Sequence, residues 1–433
     1  MTLAVIDLND AGIEIGIDGE LVATSPGFSV IDGDRLMIGN EAAACARRLP
    51  RWTNNRFWNQ LNTDPLPQAT STIRHHADLA LEHLESIWNT ISDRADHAVI
   101  LVPGYYEHAQ LGLLLGIAKE AGIPVKGVAD ASLVSVCEHA DQATTLHLDT
   151  SLHRITLGNM TSGSNLVRHA YQTVTENGLF TLWDRWANIV ANQFIQSSRF
   201  DPLHEASTEQ ALYDRLPEWI REHGNTGGGV FEISNGESSY KVSISTDQLM
   251  HACAQIYPQL VQAVRSQVED ETTLLLSHRF AGFPGLKDSL SLINGLNIVE
   301  LTPGQGVRNA FSHAENILAR DGAVTHVVNL PISRKRTAQL IPPLERATHL
   351  LLNGQAIAVN RSLPLSANLG EGFRLDPESA ACHVYTRAGD LYLQCSDQHK
   401  VRLNGEQVAA DAILTPGDVI DIGEFAVNVI AVG

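Results

Sequence analysis

Cysteine is scarce in this 433-residue chain, and its five copies, Cys45, Cys137, Cys253, Cys382 and Cys395, are widely scattered and never paired as CxxC. That pattern argues against a disulfide framework or a zinc knuckle and suits buried thiols in a reducing compartment. No apolar run reaches the roughly 18 residues that a spanning helix needs. The opening MTLAVIDLNDAGIEI holds Asp7, Asp10 and Glu14 and no basic stretch, so it does not read as a secretory signal. The expected location is the cytoplasm. Positive charge is in deficit as well: 30 Lys and Arg against 49 Asp and Glu leave a net charge of −19. Such a surface repels phosphate backbones and anionic lipid head groups, so neither nucleic acid nor a membrane span is expected as a partner. Local catalytic signatures are missing too. There is no GxSxG elbow and no HExxH, and the glycine-rich GNTGGGVF at 224–231 lacks the Lys-Ser/Thr of a phosphate loop and reads as a flexible turn. His75, His76 and His83 fall on one expected helix without metal-ligand spacing and read as a solvated face, so no metal is expected.

What is present is an ordinary globular composition, 44% hydrophobic with a mean hydropathy of −0.06, long enough for about two to four domains. The first segments, LAVIDL, GIEIGI and ELVATSP, predict an antiparallel meander. Helical spacing over 75–92 and 107–121 brackets the buried strand AVILVP. PVKGVAD then predicts a strand, SLVSVCEHA a helix, and TTLHLDTSLHRITLGNM a strand pair turning at 150–153. Residues 178–223 are helical in pattern, 228–245 form a hairpin, and one helix is expected over 246–268. Beyond it come the strand TTLLLS, a helix with Pro284 near its first position, and the strand LNIVEL. The alternation fades near residue 330. Arg334-Lys335-Arg336 and Pro342-Pro343 mark a linker at 332–346, and 347–433 is almost all short strands. The expected organisation is an α/β body at 1–331, the linker, and an all-β domain.

Segments of the α/β body resemble, in order and approximate spacing, the ATPase domain of DnaK-type heat-shock chaperones, part of the actin-like ATPase superfamily. AVIDLNDAGIEI resembles the first phosphate loop and SPGFSVIDGDRLMIGNEAAACA the strand and helix that follow. AVILVPGYYEHAQLGLLLGIAKEAGIPVKGVADASLVSV resembles the stretch through the crossover helix, LHLDTSLHRITLGNM the second phosphate loop, and LLLSHRFAGFPGLKDSL the adenosine segment. The likeness covers about 1–320 and implies a bilobal actin-like fold with ATP and magnesium in its cleft. By the same likeness the catalytic positions are Asp7, Asp130 and Asp149, with Asp130 one methylene shorter than the family's glutamate. The nucleotide-loop positions are Asp10, Ser151, His153, Ser277 and His278. Phosphate loops need glycine so that backbone N–H groups can approach anionic oxygens closely. Here Leu8-Asn9-Asp10-Ala11 adds a carboxylate to the first loop, Thr150-Ser151-Leu152-His153-Arg154 replaces the Gly-Thr run of the second, and Ser277-His278 replaces a Gly-Gly pair. Three departures at three contact loops imply lost nucleotide binding. The three aspartates then read either as a residual magnesium site or as turn residues satisfying local N–H groups.

The C-terminal segments ATHLLLNGQAIAVNRSLPLSANLGEGFRL, SAACHVYTRAGDLYLQ and KVRLNGEQVAADAILTPGDVIDIGEFAVNVI resemble a forkhead-associated β-sandwich, a phosphothreonine reader. Arg361, His383 and Asn404 stand at or near its phosphopeptide positions. Ala380-Ala381 replaces the Ser-Arg pair, however, and bidentate arginine carries most of the phosphate affinity. Together the resemblances imply a pseudo-ATPase serving as an interaction or scaffold component for an unidentified protein partner, with no cofactor. The alternatives are a chaperone-like ATPase whose nucleotide state, with magnesium, controls partner binding, and a phosphopeptide adaptor. Limited proteolysis checks the organisation: the first cuts are expected at 332–346, among basic residues and prolines, leaving two stable fragments. First cuts inside 347–433 with no surviving C-terminal fragment would contradict it.

Overall fold

Continuous apolar runs become central strands here because both of their faces are covered. In a computed structural model the chain forms two compact units, residues 1–333 and 334–433. The structure describes residues 2–140, 144–269, 271–319, 324–331, 347–352, 355–368, 372–374, 379–387, 390–395, 401–408, 411–423 and 425–431; the expected linker at 332–346 lies outside them.

In the first unit β1 (Leu3–Asp7), β2 (Ile13–Ile17) and β3 (Glu20–Ser25) make the expected antiparallel meander. A small three-stranded sheet of β4 (Ser29–Asp32), β5 (Arg35–Ile38) and β6 (Thr53–Asn54) follows, with α1 (Asn40–Ala43) between its last two strands. Then α2 (His76–Asn89), β7 (His97–Val102), α3 (His108–Glu120), β8 (Val125–Asp130) and α4 (Ala131–Val136) complete the half, with β7 and β8 laid parallel beside β1.

The second half repeats this plan. The meander of β9 (Thr144–Thr150), β10 (Ile155–Ser162) and β11 (Asn165–Thr175) leads into α5 (Leu179–Ser198) and α6 (Ala206–His223). The hairpin β12 (Gly228–Asn235) and β13 (Ser238–Ser245) comes next, then α7 (Thr246–Ala252) and α8 (Tyr257–Arg265). Strands β14 (Thr272–Leu276) and β15 (Leu296–Glu300), separated by α9 (Leu286–Ser291), lie parallel beside β9. The chain closes through α10 (Gln305–Ser312), α11 (Ala314–Ile317), β16 (His326–Val327) and β17 (Asn329–Pro331), the last two strands edging the first and second sheets. The sheet orders are therefore β16-β8-β7-β1-β2-β3 and β15-β14-β9-β10-β11-β17, which share one five-stranded order and carry their sixth strand on opposite edges. Each half has its own core, and a third cluster joins Val5 and Leu101 of the first sheet, Met160 and Leu275 of the second, and Leu133 and Val307 of α4 and α10. Between the halves is a cleft lined by Asp7 and Asn9 on one side and Asp149 and Thr150 on the other.

Three local expectations change. The helix expected over 246–268 is two, because Pro258 has no N–H to donate and is accommodated in the first turn of α8. Pro284 does not start α9; Gly285, at φ 65°, caps it. Of the three histidines expected on one solvated face, His75 caps α2 and His76 begins it, both half-buried, but His83 is fully buried. Its Nδ1 accepts from Trp58 Nε1 at 2.9 Å and its Nε2 lies 2.7 Å from Ser25 Oγ. Burial pushes its pKa down to about 3.

The second unit is all-β among the described residues. One sheet has the order β19-β18-β28-β27-β24-β25 and the other β21-β20-β22-β23-β26, all antiparallel, for β18 (His349–Leu352), β19 (Gln355–Ala358), β20 (Leu363–Asn368), β21 (Gly372–Arg374), β22 (Cys382–Arg387), β23 (Asp390–Cys395), β24 (Val401–Leu403), β25 (Glu406–Gln407), β26 (Ala412–Leu414), β27 (Val419–Ile422) and β28 (Phe425–Ile430). Both contribute to a single core that includes Leu350, Val384, Leu393 and Ile420. Asn404 and Gly405, at φ 52° and 84°, make the tight turn between β24 and β25, a conformation that favours this residue pair. Among the described residues no helix is long and apolar enough to cross a membrane.

His83→Ala would leave a buried indole N–H without an acceptor and open a cavity. The expected loss is about 2 to 4 kcal/mol by chemical denaturation, whereas a change under about 0.5 kcal/mol would mean that the Trp58 and Ser25 contacts do not matter to the fold.

Candidate functional site

The turns after β1 and β9 face each other across the cleft and are joined by hydrogen bonds, although Asp10 Oδ2 is buried without a partner. Asn9 Nδ2 donates to Asp149 Oδ2 and to the Thr150 carbonyl, both at 3.1 Å. Asp10 Oδ1 accepts the Leu152 N–H at 2.7 Å. The Leu152 side chain is fully buried, and His153 is nearly so, with Nε2 3.0 Å from the Asn55 carbonyl. The first amides of α5, which at a free helix N-terminus attract anions, instead meet this turn: Leu179 N–H donates to the Ser151 carbonyl and Phe180 N–H to that of Leu152.

Behind the turns stands a residue that sequence reasoning passed over, Arg279, next to the Ser277-His278 pair that it singled out. Its guanidinium is 3.5 Å from Asp149 Oδ1 and donates to the Gly12 carbonyl at 3.3 Å. The local signal was a basic residue directly after a strand-end Ser-His pair. Burial alone would raise Asp149, but Arg279, His147 and the Ser277 hydroxyl outweigh it and hold the carboxyl below its ordinary range. Asp7 goes the other way. Burial pushes it up to about 7, with Glu14 and Asp149 adding to the shift and Arg279 opposing it. Asp10 rises to about 6 by burial, opposed by the Leu152 N–H and Arg279. His278 is 3.3 Å from Glu14, yet burial and the Arg279 charge lower it to about 3, so this is the contact of a neutral ring and not an ion pair.

Asp130 is committed elsewhere. It caps α4 by accepting the Leu133 N–H at 2.9 Å, and its other oxygen takes Arg168 Nη1 at 2.7 Å. Asp7, Asp130 and Asp149 do not bring three oxygens together: the one set of three convergent metal-ligand atoms among the described residues lies elsewhere. The turn-residue alternative thus describes Asp130, with Arg168 as a partner that the sequence did not suggest.

Free space beside the carboxylates of the cleft is small, while a larger cavity of about 190 Å³ lies on the far side of Leu152, between Arg47, Phe180 and Tyr213. Of two small cavities at the centre of the cleft, one is bordered by Asp7, Asn9, Asp149 and Tyr171, the other by Glu14, His278 and Arg279, and each encloses about 20 Å³. That is room for about one water. Gly306 of α10 closes on Asp7 so tightly that a Cβ there would lie 2.6 Å from Asp7 Oδ2.

Farther out, Arg47 crosses the cleft. Its guanidinium reaches Asp184 of α5 at 2.8 Å and Glu209 of α6 at 3.6 Å, and packs 3.4 Å from the Tyr213 ring centroid. Its backbone N–H donates to Gln210 Oε1 at 2.9 Å, and Gln210 Nε2 returns a bond to the Ala43 carbonyl.

In the second unit Arg361 is exposed ahead of β20, and His383 sits half-buried on β22 opposite Gln394. Asn404 lies in the other sheet with its amide occupied, Nδ2 donating to Asp418 Oδ1 and Oδ1 accepting the Val419 N–H, both at 2.9 Å. Asn404 therefore holds its own turn. No known protein-family model matches the chain, and no curated protein does.

The buried carboxyl of Asp7 makes stability depend on pH. Between the ordinary 3.8 and about 7 the folded chain holds a proton that the unfolded chain has released. Its stabilising contribution is whole below about pH 4 and is lost as pH rises through about 7. Asp7→Asn, which mimics the protonated acid, is expected to gain about 1 to 3 kcal/mol over the native chain at pH 8 and little at pH 4, read by urea unfolding at both values. An equal effect at both would assign the change to packing.

Proposed function

We propose that this chain is a pseudo-ATPase: an actin-like, DnaK-related ATPase body that has given up nucleotide turnover and serves, with a forkhead-associated-like sandwich at 347–433, as a scaffold for a protein partner. The observation that carries the reading is the self-filled cleft, where Asn9, Asp10, Leu152 and Arg279 take up the space and the hydrogen bonds that a triphosphate and its metal would need. The duplicated meander-plus-parallel-strand topology supports the actin-like assignment, and the all-antiparallel second unit supports the sandwich. The spent amide of Asn404 weighs against the phosphopeptide alternative. The cytoplasm remains the proposed location.

Nucleotide binding decides between this reading and a working ATPase. A ligand specific for the folded state adds about 2.7 kcal/mol at a hundred times its Kd. The expected result with millimolar ATP and magnesium is no rise in melting temperature and no hydrolysis above buffer. A rise of several degrees that disappears in Asp149→Ala would overturn the scaffold reading in favour of an ATPase.

A further inference from the structure

Away from the cleft, at the junction of α4 and α10, three metal-ligating side chains converge. The Cys137 sulfur, a Glu138 carboxylate oxygen and a His313 ring nitrogen all lie within 4.8 Å of one another. Cys137 and Glu138 occupy the 3₁₀ turn that continues α4, and His313 stands just past the last residue of α10. A buried clamp fixes the two elements against each other: Asn309 Nδ2 donates to the Val134 carbonyl at 2.8 Å and to that of Ser135 at 3.1 Å. Four residues beyond Asn309, His313 is delivered over the turn, with Nε2 2.8 Å from Glu138 Oε1. The thiol sits behind this pair and donates to the Val134 carbonyl at 3.2 Å.

We propose that Cys137, Glu138 and His313 form a zinc-binding site. A sulfur, an imidazole nitrogen and a carboxylate oxygen are the donors that zinc takes, at about 2.0 to 2.3 Å, in tetrahedral sites whose ligand atoms are about 3.3 to 3.8 Å apart. The His313–Glu138 pair, at 2.8 Å, needs to open by only about half an ångström to reach that spacing, and the sulfur lies within 4.8 Å of both. The site is reachable from solvent: the side chains of His313 and Glu138 are 15% and 33% exposed. Three protein ligands leave one position for water, the arrangement of an open site. Binding breaks the Cys137 S–H bond, forms a sulfur–zinc bond and releases one proton to solvent, with no change of oxidation state. Motif spacing did not reveal the site because Glu138 and His313 are 175 residues apart.

The test uses the full chain, stripped with a chelator and titrated with cobalt(II) as a spectroscopic stand-in for zinc. One equivalent should produce a near-ultraviolet thiolate-to-cobalt band, which zinc abolishes by displacement and magnesium does not. Cys137→Ser, nearly isosteric, should remove the band. His313→Gln, which keeps a hydrogen-bonding partner for Glu138, should weaken binding by about tenfold or more, since loss of even an outer-shell partner costs that much. An ordinary His–Glu pair gives no such band. Its absence at excess cobalt, or its persistence in both variants with their circular dichroism unchanged, would overturn the proposal.

Discussion

A guanidinium taken out of water must keep a counter-charge, and in this protein that requirement organises the cleft. Arg279 is buried beside Asp149, and the pair is retained because removing either partner would strand a charge in a medium that solvates it poorly. The carboxylates of Asp7, Asp10, Glu14 and Asp149 share one arginine in this region. Asp149 wins the ionised state, and Asp7 is left to hold its proton into the neutral range. The Asn9 amide bonds Asp149 from the opposite turn. Moving Arg279 outward would therefore disturb Asp149, the Asn9 bridge and the seat of the first turn together.

Closure is reinforced from the rim. Surface ion pairs contribute little by themselves, but Arg47 is mostly covered, pairs with two carboxylates and lies against an aromatic ring while its backbone is tied through Gln210. Contacts of this kind add because they share one immobilised side chain, so the entropy of ordering it is lost only once. The segment between α1 and β6 that carries Arg47 is thereby tied to α5 and α6 of the second half.

The parts of the fold legible in the sequence were those with local causes. The meander at 3–25 follows from alternation and turn residues, and β7 and β14 from short, largely apolar runs. The missing glycines and bulky Leu152 pointed to the altered turns, since a side chain that fills space does so wherever the chain puts it. What the sequence hid depended on distant partners. Arg168 meets Asp130 across 38 residues, Arg279 meets Asp149 across 130, and His83 is buried by Trp58 and not by its own helix. A histidine at helical spacing looks identical whether a tryptophan or water lies beyond it. The break between α7 and α8 was local, but a proline in a first turn resembles an interior proline until the neighbouring cap is known.

The lacing of the two turns through Asn9 and Asp10 has a consequence for how such a body would be governed in a cell. A ligand that closes a cleft from solution acts at its free concentration, so the closed fraction tracks supply. Side chains tethered beside the cleft act at the fixed effective concentration set by the backbone, commonly millimolar or above. The contacts that hold these two turns together are then set by the chain itself and not by the supply of a ligand.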